Sequence, residues 1–476
     1  MIRKYLLLCF LVIMAQQLQA QQYGLFNTNT LFDGFENPAQ KTFRLDYSRR
    51  FSSNFFLPYL GLNATSRGSN DLVRRLASDG VFTARDLPLG TKEMNTAYQN
   101  TNVYLFAFKV FQSYKFQKEI GFSWQLRTDA QVDYTNETLA IIDNYRRFED
   151  YYDTDFNDAF NNKGYAQSYH QFSLSYRENL TKKLAFGGKI SLLSGITYNQ
   201  LKITNSNISL ASEQGPLSIA VNGSYRTSFK YEDEISKKNF FPNFKNPGIA
   251  LSFGTSYTSK DGTFIMANIK DLGVIKWAKS SYSATFNNIK SPLVIDNPDL
   301  MSSDDLEDEI IDIVTRSEIN KSFYTPTNAK IDFLVSKTFD YYTPSLIISK
   351  NVLYKGGDVA FVNKFSFNDL SVSAVPTYNL AGIVSFGMQG MYQTPNFEAF
   401  LGSDNLFKTV TQTRSAIQQD AAIGKGYNSA SIYLGVGIKF GNLVEHPQNS
   451  STMPGIGEEG SSIFKKIFGI FSKKKR

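Results

Sequence analysis

The feature that most constrains this chain is a segment, Ile120 to Tyr134, in which apolar and polar side chains alternate without a break. Ile120, Phe122, Trp124, Leu126, Thr128, Ala130, Val132 and Tyr134 form one mostly apolar face. Gly121, Ser123, Gln125, Arg127, Asp129, Gln131 and Asp133 form the other. A strand turns successive side chains to opposite sides, so the pattern predicts a strand with an oily face and a wet face. Strands of soluble proteins average about 5–6 residues, whereas at about 3.3 Å per residue this one extends roughly 50 Å. Tilted by about 45°, it crosses the roughly 25 Å apolar band of an outer membrane. The alternation recurs from Leu217 to Phe229, from Ile249 to Thr258 and from Ala430 to Phe440. The oily faces are expected to meet lipid and the small and polar faces to line a lumen. A large soluble β-sandwich also alternates, but strand length and targeting favour the barrel.

Residues 1–20 read as a secretory signal. Arg3 and Lys4 are the charged start, Tyr5 to Met14 the apolar core, and Leu18-Gln19-Ala20 the cleavage site. Cys9 lies inside this segment, so the chain from Gln21 onward has no cysteine, and disulfides, thiol catalysis and cysteine-held metals are excluded. No later stretch is apolar for long enough to cross as a helix, which leaves a closed barrel as the route into a bilayer. Forty Phe and 27 Tyr suit lipid-facing walls and interfacial girdles. The net charge of +7 is concentrated at the two ends. Lys465, Lys466, Lys473, Lys474, Lys475 and Arg476 face only Glu445, Glu458 and Glu459 in the tail. The barrel region is near neutral, and nucleic acid is not an expected partner.

Short turns rich in Gly, Asn and Asp punctuate the strands at 177–182, 259–262, 355–358 and 368–369. Two long polar excursions, 135–166 and 278–325, are expected outside the cell or in the barrel mouth. Within the second, Leu306, Ile310, Ile313 and Val314 predict a helix over 303–319 behind a Ser cap. Asp71 to Ser78 and Thr91 to Tyr98 look locally helical and are candidates for a plug or periplasmic segment. The count of strands is roughly 14 to 16, with even numbers expected. Signal 1–20, barrel 21–440 and tail 441–476 are the expected divisions. In the tail, Phe464, Lys465, Ile467, Phe468, Phe471 and Lys473 belong to an apolar stripe beside lysines, which predicts an interfacial helix for a membrane or a partner's groove.

Several pieces resemble a Bacteroidota outer-membrane family known only as domain of unknown function 5723. They are Asn37-Pro38-Ala39, Leu184 to Ile190, Asn246 to Gly254, Asp271-Leu272-Gly273-Val274-Ile275-Lys276-Trp277, Ser403-Asp404-Asn405 and Ile438 to Gly441. That family is similar to long-chain fatty-acid transporter-like barrels and to the accessory barrel of the type 9 secretion system. The resemblance implies about 14 strands with the N-terminal segment in the lumen. Ser252 stands where the family pattern has Asp. Gly248, Gly254 and Gly273 are expected to permit close strand approach, Trp277 to anchor at the membrane interface, and Asp404-Asn405 to form a turn.

The histidines are His170 and His446. No metal spacing, nucleophile elbow or phosphate loop is present in the sequence, so no catalytic residue, cofactor or metal is assigned and the chain is not read as an enzyme. A rim hydrolase on His170, beside the acidic loop of Glu149, Asp150, Asp153, Asp155 and Asp158, is weighed against a solvent-facing polar position, and the latter is preferred. Calcium in that loop is set aside for want of EF-hand spacing. The expectation is an all-β, antiparallel transmembrane barrel of about 14 strands in the cell outer membrane, with a luminal N-terminal segment and its tail in the periplasm. Its function is a passage or port for hydrophobic or lipid-like molecules, with Leu25, Phe26, Leu31, Phe32, Asn37 and Pro38 in a luminal hatch. The alternative is a non-enzymatic scaffold docking another envelope complex. Expected partners are outer-membrane lipid, a hydrophobic small-molecule substrate and an envelope protein.

Overall fold

The computed structural model describes residues 22–43, 47–143, 147–148, 151, 156–210, 215–229, 240–296, 303–444 and Phe464. Fourteen antiparallel strands close into a barrel. In chain order, β1 is Arg49–Ser53 continued by Tyr59–Arg67, β2 Met94–Ser113, β3 Lys118–Thr135, β4 Lys163–Asn179 and β5 Leu184–Leu210. β6 combines Leu217–Thr227 with Pro247–Thr258. β7 combines Phe264–Trp277 with Tyr282–Asn287 and Leu293–Ile295. β8 combines Ile319–Asn320, Phe323–Pro326 and Lys330–Ser336. β9 is Tyr342–Asn351, β10 Gly357–Phe367, β11 Leu370–Asn379, β12 Ile383–Gln393, β13 Phe397–Ser403 and β14 Asn428–Leu443. Closure is by β14 on β1, through Phe51 opposite Phe440 and Leu60 opposite Leu434. Among the described residues no helix is long and apolar enough to cross a membrane.

The wall inverts the pattern of a soluble protein. Along β6, Leu251 is 54% exposed while its neighbour Ser252 is 5% exposed. The same holds along β3, where Ile120 and Phe122 are exposed and Ser123 and Gln125 are buried. Oily residues face outward and polar ones inward, as lipid on one side and a polar lumen on the other require. That distribution rules out the β-sandwich, which buries its oily faces.

The alternation does not always mean lipid. Leu217, Ile219 and Val221 face inward and are buried in an apolar cluster with Leu139, Phe286 and Ile313. The physical reason is phase. The two segments of β6 are not one continuous strand, so odd-numbered residues point in along Leu217–Thr227 and even-numbered ones along Pro247–Thr258. The wall here rises into a cap of loops with its own dry core.

The two barrel ends differ. At one end, turns as short as Asn368-Asp369 join the strands, and the start of β1 lies beside the end of β14. The other end carries the long excursions and their helices. Asn70–Ser78, Asn136–Asp143, Ser303–Thr315 and Leu406–Gln418 are all there. The predicted helix after Ser303 is therefore found. The expected helix at Asp71 to Ser78 also forms, but at the loop end rather than as a plug or periplasmic piece. Met94 to Tyr98 is the start of β2, not a helix. The signal segment 1–20 lies outside the described residues.

Candidate functional site: a polar plug in the lumen

Residues 22–43 fill the barrel interior. Local chemistry folds this segment on itself first. Asn27 and Asn29 take left-handed backbone angles, which Asn tolerates better than most residues. The Asp33 carboxylate then accepts the backbone N–H groups of Thr28 at 2.9 Å and Asn29 at 3.2 Å, and the Asn37 amide at 2.7 Å. A single helical turn, Asp33–Glu36, stops before Pro38, whose ring disfavours helical backbone at the preceding Asn37.

Polar contacts then tie this knot to the wall on many sides. The Tyr23 hydroxyl donates to Asp358 on β10 at 2.7 Å, and the Leu31 N–H donates to Glu398 on β13 at 2.7 Å. Lys109 on β2 donates to the Gly34 carbonyl at 2.9 Å, and Glu119 on β3 accepts the Thr42 N–H at 3.1 Å. Asn268 on β7 donates to Asn37 at 2.6 Å, and Arg177 on β4 donates to the Ala39 carbonyl at 2.8 Å. At mid-lumen, Glu36 meets Arg127 at 2.7 Å and Lys270 at 3.6 Å. Arg127 also holds Asp271 at 2.5 Å, which Lys189 meets at 3.1 Å; Lys270 meets Asp332 at 3.2 Å. The cluster pairs three carboxylates with three cations, so the low-dielectric interior holds no net excess. Burial alone would raise the Glu36 carboxyl, but Arg127, Lys270 and Lys189 outweigh it and hold it well below the usual carboxylate range.

Several motif fragments converge here. A Cβ on Gly187 would collide with the Pro38 carbonyl group and the Ala39 nitrogen, and one on Gly254 would crowd Ala39. The absence of side chains at these two wall positions is what admits the Asn37-Pro38-Ala39 backbone. Gly248 and Gly273 instead sit where strand backbones come close. Asp271 occupies a β-bulge opposite Ser252 with φ of 52°, its N–H donating to the Ser252 hydroxyl at 2.8 Å. The carboxylate supplied by the Asp-Leu-Gly motif is thus luminal, while Ser252 caps the bulge.

Leu25, Phe26, Leu31, Phe32, Asn37 and Pro38 are all buried in this plug. Leu31, Phe32 and Phe35 pack on Tyr59, Tyr104, Met391 and Phe400, and Tyr23 and Phe26 on Leu334, Ile347, Val362 and Val375. Sequence reasoning missed Glu36, Arg127, Lys189, Lys270 and Asp332. Arg127 stood on the wet face of β3, but alternation names a face and not a partner.

Other expectations change. Trp277 is not an interfacial anchor: it is 0% exposed, packs against Tyr198 and Phe323, and donates to Thr325 at 2.8 Å. His170 is neither at the rim nor in solvent. It is 3% exposed within β4, receives the Trp124 indole N–H at 3.3 Å and meets the Phe240 carbonyl at 2.6 Å, so both ring nitrogens are engaged. Asp404 is more than a turn residue, since Asn63 and Ser431 each donate to its buried carboxylate at 3.0 Å. Of the tail, Phe464 is described. Its N–H donates to Glu178 at 2.9 Å, and its ring lies beside Tyr176, Phe186 and Phe253 on the outer wall. Lys465, Ile467, Phe468, Phe471 and Lys473 lie outside the described residues.

The plug should respond to pH. Burial raises the Asp33 carboxyl to about 6, more than its hydrogen bonds from Asn37, Thr28 and Asn29 lower it. The seated segment therefore holds this proton more tightly than a released one, whose carboxyl titrates near 4, as free Asp does. The contribution of Asp33 to seating is expected to be full below pH about 4 and to be lost as pH rises through about 6, whereas that of Glu36, whose carboxyl is held low, is lost as pH falls below about 4. Hydrogen exchange of residues 22–43, corrected for its intrinsic pH dependence, should show protection falling on both sides, and Asp33→Asn should flatten the limb between about 4 and 6.

Residues 45–404 match the model of a family described as a family of unknown function, DUF5723. No curated protein matches the chain. Among solved structures, a deltaS2S3 mutant of the monoaromatic hydrocarbon channel TodX is similar at 8% identity and a TM-score of 0.42, covering 89% of this chain and 95% of that one. A FadL homologue from Pseudomonas aeruginosa is similar at 9% identity and 0.42, covering 88% and 95%. The translocator domain of the autotransporter NalP from Neisseria meningitidis is similar at 7% and 0.32, covering 82% and 88%.

Proposed function

The chain belongs to the family of unknown function DUF5723, and from its plugged barrel we propose an outer-membrane passage for hydrophobic or lipid-like molecules, closed at rest by residues 22–43. The observation that carries this reading is the mixed character of the seal. Hydrogen bonds and ion pairs, which water can replace, hold the plug to the wall. Its apolar side chains, in contrast, cover two apolar patches of the lumen wall. When the plug moves, Tyr59, Tyr104 and Phe400 on one side and Leu334, Ile347 and Val362 on the other become surface that an apolar molecule can cover in its place. The short-turn end is read as periplasmic, following the rule that outer-membrane barrels put short turns there and long loops outside.

The second reading is a scaffold for another envelope complex, and the placement of Phe464 on the outer wall supports it, because a simple passage has no use for a tail there. Purification from native membranes in mild detergent, with mass spectrometry of proteins and lipids, tests the choice. A solitary barrel with one enriched apolar compound supports the passage. A stoichiometric protein partner, lost on deleting residues 461–476, with no enriched compound would replace it by the scaffold. Deleting residues 22–43 should turn a silent barrel into a conducting one in planar bilayers, and a barrel that stays closed would end the hatch.

A further inference from the structure

Beneath the plug, at the short-turn end, lies an open pocket of about 290 Å³. Its roof is the underside of the plug, from Asn27, Asn29 and Gln40 to Lys41. Its sides are the turns that carry Gln117, Lys182, Lys183, Gly262 and Thr338. Four cationic side chains line it (Lys41, Arg177, Lys182 and Lys183), and among the described residues no carboxylate does. Glu119, which accepts the Thr42 N–H above the pocket, lies 4.0 Å from Arg177 and 3.6 Å from Lys109, so this one acid is shared between those two cations. Burial and the neighbouring Arg177 push the Lys41 ammonium below its usual range, against the pull of Glu119.

We propose that this pocket binds a phosphate group, and that the bound phosphate latches the plug by linking Lys41 to Lys182 and Lys183 of the barrel. Arg177 already spends its donors on Ala39, Gln117 and Asn179, which leaves the lysines as the groups to be neutralised. Several ammonium groups suit a phosphate, whose anionic oxygens accept charge-assisted hydrogen bonds from more than one side. The phosphate is either a soluble ester or ion, or a phospholipid headgroup reaching over the rim. The site does not depend on what passes through the barrel.

The test is calorimetric titration of inorganic phosphate into the full-length protein in phosphatidylcholine nanodiscs. Saturable binding is expected, weakened about tenfold or more in Lys41→Gln/Lys183→Gln, as loss of charge-assisted hydrogen bonds predicts. Lys337→Gln serves as control: this exposed lysine pairs with Asp261 at 3.0 Å outside the pocket, and its loss should change nothing. Phosphatidylglycerol in the disc that competes with phosphate identifies a headgroup as the natural source, and no competition identifies a soluble phosphate. Absence of saturable binding, or equal binding by the double variant, overturns the proposal.

Discussion

Replacing Arg127 with Ala is expected to unseat the plug and destabilise the protein by about 3–5 kcal/mol, the cost of leaving a buried carboxylate without its partner. The loss falls unevenly. Asp271 keeps Lys189 at 3.1 Å and the Gln171 amide at 2.9 Å, whereas Glu36 keeps, among the described residues, one longer ion pair, to Lys270 at 3.6 Å, with Lys189 acting from farther off. The segment that carries Glu36 is therefore the one to leave. Because Cys9 lies in the signal segment, Thr30→Cys gives the chain from Gln21 onward a single thiol, fully buried in the seated plug. Maleimide should label it slowly in the parent and rapidly in Arg127→Ala. Adding Glu36→Gln removes the stranded charge and should restore most of the protection. If Arg127→Ala leaves labelling unchanged, the ion pair does not hold the plug.

The second large effect is expected at a glycine. Gly187→Val places carbon where the backbone of Pro38 and Ala39 runs. Backbone cannot swing aside as a side-chain tip can, so the plug must shift. Overpacking of this kind costs about 1–3 kcal/mol, which raises the unseated fraction roughly fivefold to 150-fold. The adjacent Gly188→Val is the internal control: its Cβ would meet nothing nearer than the Ser252 carbonyl oxygen at 3.9 Å. The barrel itself should persist in both, as judged by heat-modifiable migration, since the collision at Gly187 is with the plug. Fast thiol labelling in Gly187→Val and not in Gly188→Val is the expected pair of results. Equal behaviour of the two would mean that Asn37-Pro38-Ala39 does not rest on this wall.

How the sequence was legible follows from the kind of signal each element carries. Alternation at β3, β6 and β14 announced the wall because lipid constrains every second residue along many consecutive positions. The helix at Ser303–Thr315 was legible from its apolar stripe. Trp277 misled because an aromatic beside a strand end fits the interface and the lumen equally well. Which of the two it meets depends on strand phase, and phase is set by bulges and excursions that leave no periodic mark. His170 misled for a related reason, since the groups that engage its two ring nitrogens, the Trp124 indole and the Phe240 carbonyl, are far from it along the chain.

By itself, then, the sequence determined that this chain forms a long-stranded outer-membrane barrel, and that the wet faces look inward along β3 and the second segment of β6, though not at Leu217 to Val221. The resemblance placed the N-terminal segment in the lumen, but only the tertiary structure decided how residues 22–43 are tied to the wall, that Glu36, Arg127, Asp271 and Lys189 meet there, and that Gly187 gives room to Pro38. The difference is one of range. A strand's two faces are fixed by neighbours along the chain. A buried charge acquires its meaning from partners brought up from distant strands, and barrel closure alone brings them within reach.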